Sequence, residues 1–180
     1  MTTPNLVSRR ALASSLASLP VAGALAAWSA AAAAATPMPE KTAAGVPPLF
    51  LEDVSPKPLM ATTEAFRAAV AAAGWSVLGV TNMTGVLAER GHAVPPVLVF
   101  DVCSSRYSGD LLSNDATMFV ASMMPCSVAV YQTSQGKVVI SRMNSGAMGG
   151  MVGGHAGDVI SKSGLDMEQI IKATLERLAA

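Results

Sequence analysis

The sequence predicts an α+β fold carried by one domain, residues 49–180, behind an export segment. The chain has 180 residues, a length that suits one domain and falls short of a barrel enzyme of roughly 250 residues. Apolar positions recur at helical spacing in two stretches, 62–73 and 166–178, with short β-branched runs between them. Two of those runs flank the turn-forming Thr133-Ser134-Gln135-Gly136, which predicts an antiparallel hairpin.

Taken in order, Thr62 or Thr63 caps a helix whose positions Phe66, Ala69, Val70 and Ala73 share a face, and Gly74 ends it. Trp75–Thr81 reads as a strand. Asn82 caps a short helix through Val86 and Leu87 that stops at Gly91. Val97–Val102, behind Pro95-Pro96, reads as a buried strand. Residues 104–124 are mixed, with a helix around Asp110–Leu112 and an apolar stretch near Met118–Val120. Ser127–Tyr131 and Val138–Met143 form the hairpin. Asp166 and Gln169 resemble a capping box that opens the last helix, striped by Met167, Ile170, Ile171, Thr174, Leu175 and Leu178. Glu168 and Lys172 fall on its wet face. No internal repeat is visible.

Hydropathy is misleading until it is located. The mean is +0.44 and 51% of residues are hydrophobic, but most of the excess lies in the first 36 residues. Residues 1–35 read as a cleaved signal peptide with Ser8-Arg9-Arg10 at its head and an alanine run, Ala30–Ala35, at its tail. The Ser-Arg-Arg-x-Leu pattern resembles a twin-arginine translocation signal. Residues 36–48 (TPMPEKTAAGVPP) read as a linker. Cleavage would leave no stable membrane span, and the expected location is periplasmic. Loss of Arg9 and Arg10 leaves 10 basic against 12 acidic residues, so no charge imbalance points to nucleic acid.

One family pattern covers the mature domain. Glu64–Trp75 (EAFRAAVAAAGW), Phe100–Cys103 (FDVC), Met124-Pro125-Cys126 running into Val128–Tyr131, and the Gly136–Ile140 strand carry it. In this order, over roughly residues 60–178, the chain resembles the bacterial domain-of-unknown-function family 302. Where relatives often have Asn-Pro after the first cysteine, this chain has Ser104-Ser105. The resemblance implies a single compact domain, a mainly antiparallel sheet with helices packed on one face, and a homodimer. It implies no activity.

Sulfur dominates the candidate chemistry. Cys103 closes one strand and Cys126 opens another, with 22 residues between them. Antiparallel pairing of those strands would bring the two cysteines together; parallel pairing would part them by roughly 20 Å, a six-residue strand length. In an oxidising compartment they suit a structural disulfide, a soft-metal site or a reactive thiol. Met118, Met123 and Met124 precede Cys126, while Met143, Met148 and Met151 precede His155. Thioether, thiolate and imidazole donors together suit copper as Cu(I), which makes Cys103, Cys126, Met124, Met148, Met151 and His155 the candidate metal ligands. The glycine-rich run before His155 reads as a mobile loop or flap.

Other chemistry has thinner support. The chain lacks C-x-x-C, C-x-x-C-H, a phosphate-binding loop, a dinucleotide fingerprint and a G-x-S-x-G elbow. His92 reads as a solvated loop residue. Asp101, inside a buried strand, needs a partner, with Arg106 or Arg142 available. Tyr107 and Tyr131 could supply a hydroxyl. Three classes stay open: a small binding or accessory protein for a soft ligand, a disulfide-stabilised interaction module, and a thiol redox or sulfur-transfer enzyme. The balance favours a binding protein without catalysis.

Overall fold

A computed structural model describes residues 48–180. The expected signal segment, and the linker apart from Pro48, lie outside these residues. Five strands form one sheet: β1 (Phe50–Ser55), β2 (Ser76–Asn82), β3 (Val97–Cys103), β4 (Cys126–Gln132) and β5 (Val138–Met143). Their order is β1-β5-β4-β3-β2, and every neighbouring pair is antiparallel. The helices are α1 (Leu59–Ala72), α2 (Met83–Ala88), α3 (Ser105–Leu112), α4 (Ser145–Val152) and α5 (Gly154–Ala179), with a 3₁₀ turn at Met118–Met123. None of the described helices is long and apolar enough to cross a membrane.

Period-two alternation decides where the core sits. Phe100, Val102, Val128, Val130, Val138 and Ile140 turn to one face of the sheet, where they meet Phe66, Ala69 and Val70 of α1 and Met167, Ile170 and Ile171 of α5. Phe66 and Phe100 meet edge to face with centroids 5.4 Å apart. A second cluster joins Leu111 and Val120 to Ala156, Val159 and Ile160 near the start of α5. The long helix α5 thus serves two cores, one against the sheet and one against α3 and the 3₁₀ turn.

Several elements differ from their sequence pattern for identifiable reasons. The strand β1 was not anticipated, because Glu52-Asp53 interrupts its apolar run; Asp53 is registered opposite Ile140 and its carboxylate is taken up by Arg142. Helix α1 begins after Pro58, ahead of Thr62 and Thr63, which are buried in its interior. The Thr62 hydroxyl donates back to the Pro58 carbonyl at 3.1 Å and meets Ser55 Oγ at 2.6 Å, so it ties the helix to β1 instead of capping it. The Asn82 cap does form, accepting from the Gly85 amide at 3.1 Å.

The glycine-rich run is not a flap. It is helix α4, capped by Asn144 and laid so closely along α5 that side chains are excluded from the contact. A Cβ at Gly149 would lie 2.3 Å from the Gly157 carbonyl oxygen, and one at Gly164 would lie 2.7 Å from the Gly146 nitrogen. The last helix therefore starts at Gly154, behind a break at Gly153 and Gly154 with φ of +70° and +59°, and Asp166 lies in its middle. Glu168 is not on a free wet face: it binds Arg142, while Lys172 pairs with Glu176 at 3.9 Å. Asp101 pairs with neither arginine; its carboxylate accepts from Ser127 Oγ at 3.1 Å.

Candidate functional site

Where β3 ends and β4 begins, the sheet core and the α3–α5 cluster do not close on each other, and a pocket of about 560 Å³ remains between them. Antiparallel pairing sets Val102 opposite Cys126, so Cys103 and Cys126 lie at the same end of adjoining strands. Both are half-buried free thiols on the pocket wall. Burial, and then the nearby Cys103 sulfur, push the Cys126 thiol up from its ordinary value, so it stays protonated at neutral pH. Cys103 Sγ donates to Ser108 Oγ at 3.5 Å.

The remaining wall is mainly apolar and rich in thioethers, interspersed with serines such as Ser104, Ser108 and Ser145. Met123, Met124, Met143, Met148 and Met167 line it, with Trp75, Leu111, Val120 and Ile160. Of the six candidate ligands, four share this pocket: Cys103, Cys126, Met124 and Met148. The other two do not. Met151, in the last turn of α4, is 72% exposed, and His155 Nε2 contacts Asp110 Oδ1 at 3.0 Å on the surface. Among the described residues, no group of three or more His, Cys, Asp or Glu side chains is placed to hold a metal ion. A metal in this pocket would need methionine thioethers beside the two sulfurs.

Arg142 and Tyr107, singled out in the sequence as a partner for Asp101 and as a hydroxyl, both reach the wall, but with partners that the sequence did not indicate. Arg142 is 6% exposed, yet it lines the pocket, clamped by Asp53 from β1 and Glu168 from α5. Burial alone would lower its guanidinium, but the hydrogen bonds to Glu168 and Asp53 raise it further, and it stays charged. Tyr107 donates to Asp166 at 2.8 Å across the α3–α5 junction; burial and that bond push its hydroxyl up. Arg106 pairs with the same carboxylate at 2.6 Å and stacks over the Tyr107 ring. No His, Lys, Asp or Glu belongs to the wall.

This is an α+β domain with one sulfur-rich apolar pocket at the end of its sheet. The family model "Domain of unknown function DUF302" matches residues 52–178, and the chain belongs to that family. The crystal structure of an uncharacterized conserved DUF302 protein from Bacillus stearothermophilus is similar in fold, with a TM-score of 0.60 at 21% identity, covering 72% of this chain and 98% of that one. No curated protein matches the chain.

Proposed function

We propose that this is an exported binding protein that holds a small soft ligand, a sulfur species above all, against Cys103 and Cys126. The observation that carries this reading is the pocket itself, where two thiols on adjoining strands share one wall with Met124 and Met148. Its volume of about 560 Å³ falls in the range of small-molecule sites, roughly 300–1,000 Å³. Soft sulfur donors favour soft partners. A protonated Cys126, and a wall without histidine or carboxylate to take a proton, support retention of the ligand over turnover. Cu(I) is the second reading, supported by the two thiols beside methionine thioethers.

Export rests on the Arg9-Arg10 segment, and the periplasm is the proposed compartment. A second copy of the chain is the proposed partner, supported by Phe50 and Val54, which stand exposed on the edge strand β1.

Trp75 lines the pocket, and it is the tryptophan left to report on it once cleavage of residues 1–35 has removed Trp28. Titrating the cleaved chain with dibutyl sulfide, and separately with Cu(I) under anaerobic reducing conditions, should give a saturable change in emission. The change should weaken at least about tenfold when both cysteines become serine, a loss near 1.4 kcal/mol. A flat response to both probes would remove the reading.

A further inference from the structure

The first turn of α3 borders the pocket, and it is left open. Ser104 holds its N-cap position but makes no capping bond, and no acidic side chain occupies that turn. Ser104 is 7% exposed, and among the described residues its hydroxyl has no hydrogen-bond partner. Among the described residues, every side-chain nitrogen or oxygen that is fully shut off from solvent does have a partner. The Ser104 hydroxyl is therefore not fully shut off from solvent, and Ser104 lines the pocket. A hydroxyl in a cap position ordinarily accepts from the second or third amide of its helix, which would satisfy one of the unpaired donors there. Here the helix end and the hydroxyl are both free for an outside acceptor.

From this we infer that the pocket contains an oxyanion subsite at the start of α3, and that its ligand is a small amphipathic acid. The inference rests on the ligand-binding reading above and names the class of ligand. A carboxylate or comparable oxyanion would accept from the Ser104 hydroxyl and from the open amide end of α3, where the helix dipole favours negative charge. The apolar body of the ligand would lie against Leu111, Val120 and Ile160, with its soft portion toward the cysteines. No carboxylate side chain lines the wall itself; Arg142 lines it with its charge already answered by Asp53 and Glu168, which leaves the start of α3 as the place for an anion.

The test compares octanoate with 1-octanol, two probes of one chain length that differ in the head group, by calorimetric titration of the full chain at neutral pH. Octanoate should bind at least about tenfold more tightly than octanol, the scale of one charge-assisted hydrogen bond. Ser104→Ala should remove that advantage, bringing octanoate down to the level of octanol, while octanol still binds. Ser104→Asp, which supplies an anion and a good cap at the same place, should exclude octanoate while octanol still binds. Octanol binding also reports that each variant is folded with its pocket intact. If octanol binds and octanoate binds no better, or if Ser104→Ala leaves octanoate unaffected, the subsite is overturned and the pocket reading stands. If neither probe binds the unaltered chain, both are overturned.

Discussion

Gly149 and Gly150 are neighbours in one helix, yet alanine at each should move stability in opposite directions. In an open helix, Gly→Ala stabilises by about 0.8–1 kcal/mol, because alanine loses less backbone entropy on folding. Gly150 is exposed and nothing lies within 4 Å of a Cβ built there, so Gly150→Ala should gain that amount. At Gly149 the same Cβ would sit 2.1 Å from Ser161 Oγ, 2.3 Å from the Gly157 carbonyl oxygen and 2.8 Å from the Ser161 nitrogen. The serine hydroxyl can rotate away, but the two backbone atoms cannot. Relief therefore requires α4 to draw back from α5 by about an ångström, at the upper end of the roughly 1–3 kcal/mol that overpacking costs. Net of the propensity gain, Gly149→Ala should destabilise by about 2 kcal/mol. A urea titration resolves this easily: at a slope of about 2 kcal/mol/M the midpoint falls by about 1 M for Gly149→Ala and rises for Gly150→Ala. Gly157→Ala meets the same contact from the other side, so the double variant should cost less than the two single costs combined. Equal midpoints for Gly149→Ala and Gly150→Ala would refute the account of why this run is glycine-rich.

Other expectations concern the ion cluster, the thiols and export. Glu168→Ala leaves buried Arg142 with Asp53 alone and should cost about 1–3 kcal/mol, whereas Lys172→Ala on the exposed side should stay within about 0.5 kcal/mol. Ile171→Ala, at a fully packed position, should cost about 2–5 kcal/mol in the same titration, and a cost no larger than that of Lys172→Ala would mean that the orientation of α5 is misassigned. Cys126 should alkylate slowly with iodoacetamide at neutral pH, and its rate should still be climbing above pH 9.0, its ordinary value; a plateau below that would contradict a raised pKa. Because the folded state holds the Cys126 proton more tightly, its contribution to stability is complete below pH 9.0 and is lost as pH rises through the folded value. Replacing Arg9 and Arg10 by lysine should retain the precursor in the cytoplasm, and unimpaired export would leave an ordinary secretory signal.

What could be read from the residues was whatever obeyed local rules. The hairpin, the Asn82 cap and the strand ending at Cys103 follow from β-branched runs and turn chemistry that tertiary contacts reinforce. The nearness of the two cysteines depended only on antiparallel pairing, which the short mixed stretch between them favoured over a crossover. Long-range chemistry overrode the rest. Glu52-Asp53 made β1 look like a loop because the cation that answers Asp53 lies 89 residues away. Glycine reads locally as a loop residue, yet here its missing side chain is what α4 and α5 need in order to touch. Asp166 looked like a cap because a capping box is a local four-residue pattern, whereas its partners Tyr107 and Arg106 come from another helix. Met151 and His155 stood near the other donors in sequence, but the break at Gly153 and Gly154 ends α4 and starts α5, and both side chains stay outside the pocket. Ser104 and Arg142 carried no motif at all; only the fold sets them on the pocket wall.

The central claim is that Cys103 and Cys126 face a ligand as thiols. Native mass spectrometry of the protein, isolated from the exported fraction without reductant, tests it most directly. The account predicts the chain carrying a small non-covalent adduct that disappears when Cys103 and Cys126 are changed to serine. A chain lighter by two hydrogens and free of any adduct would mean that the cysteines are joined in a disulfide, and it would contradict the claim.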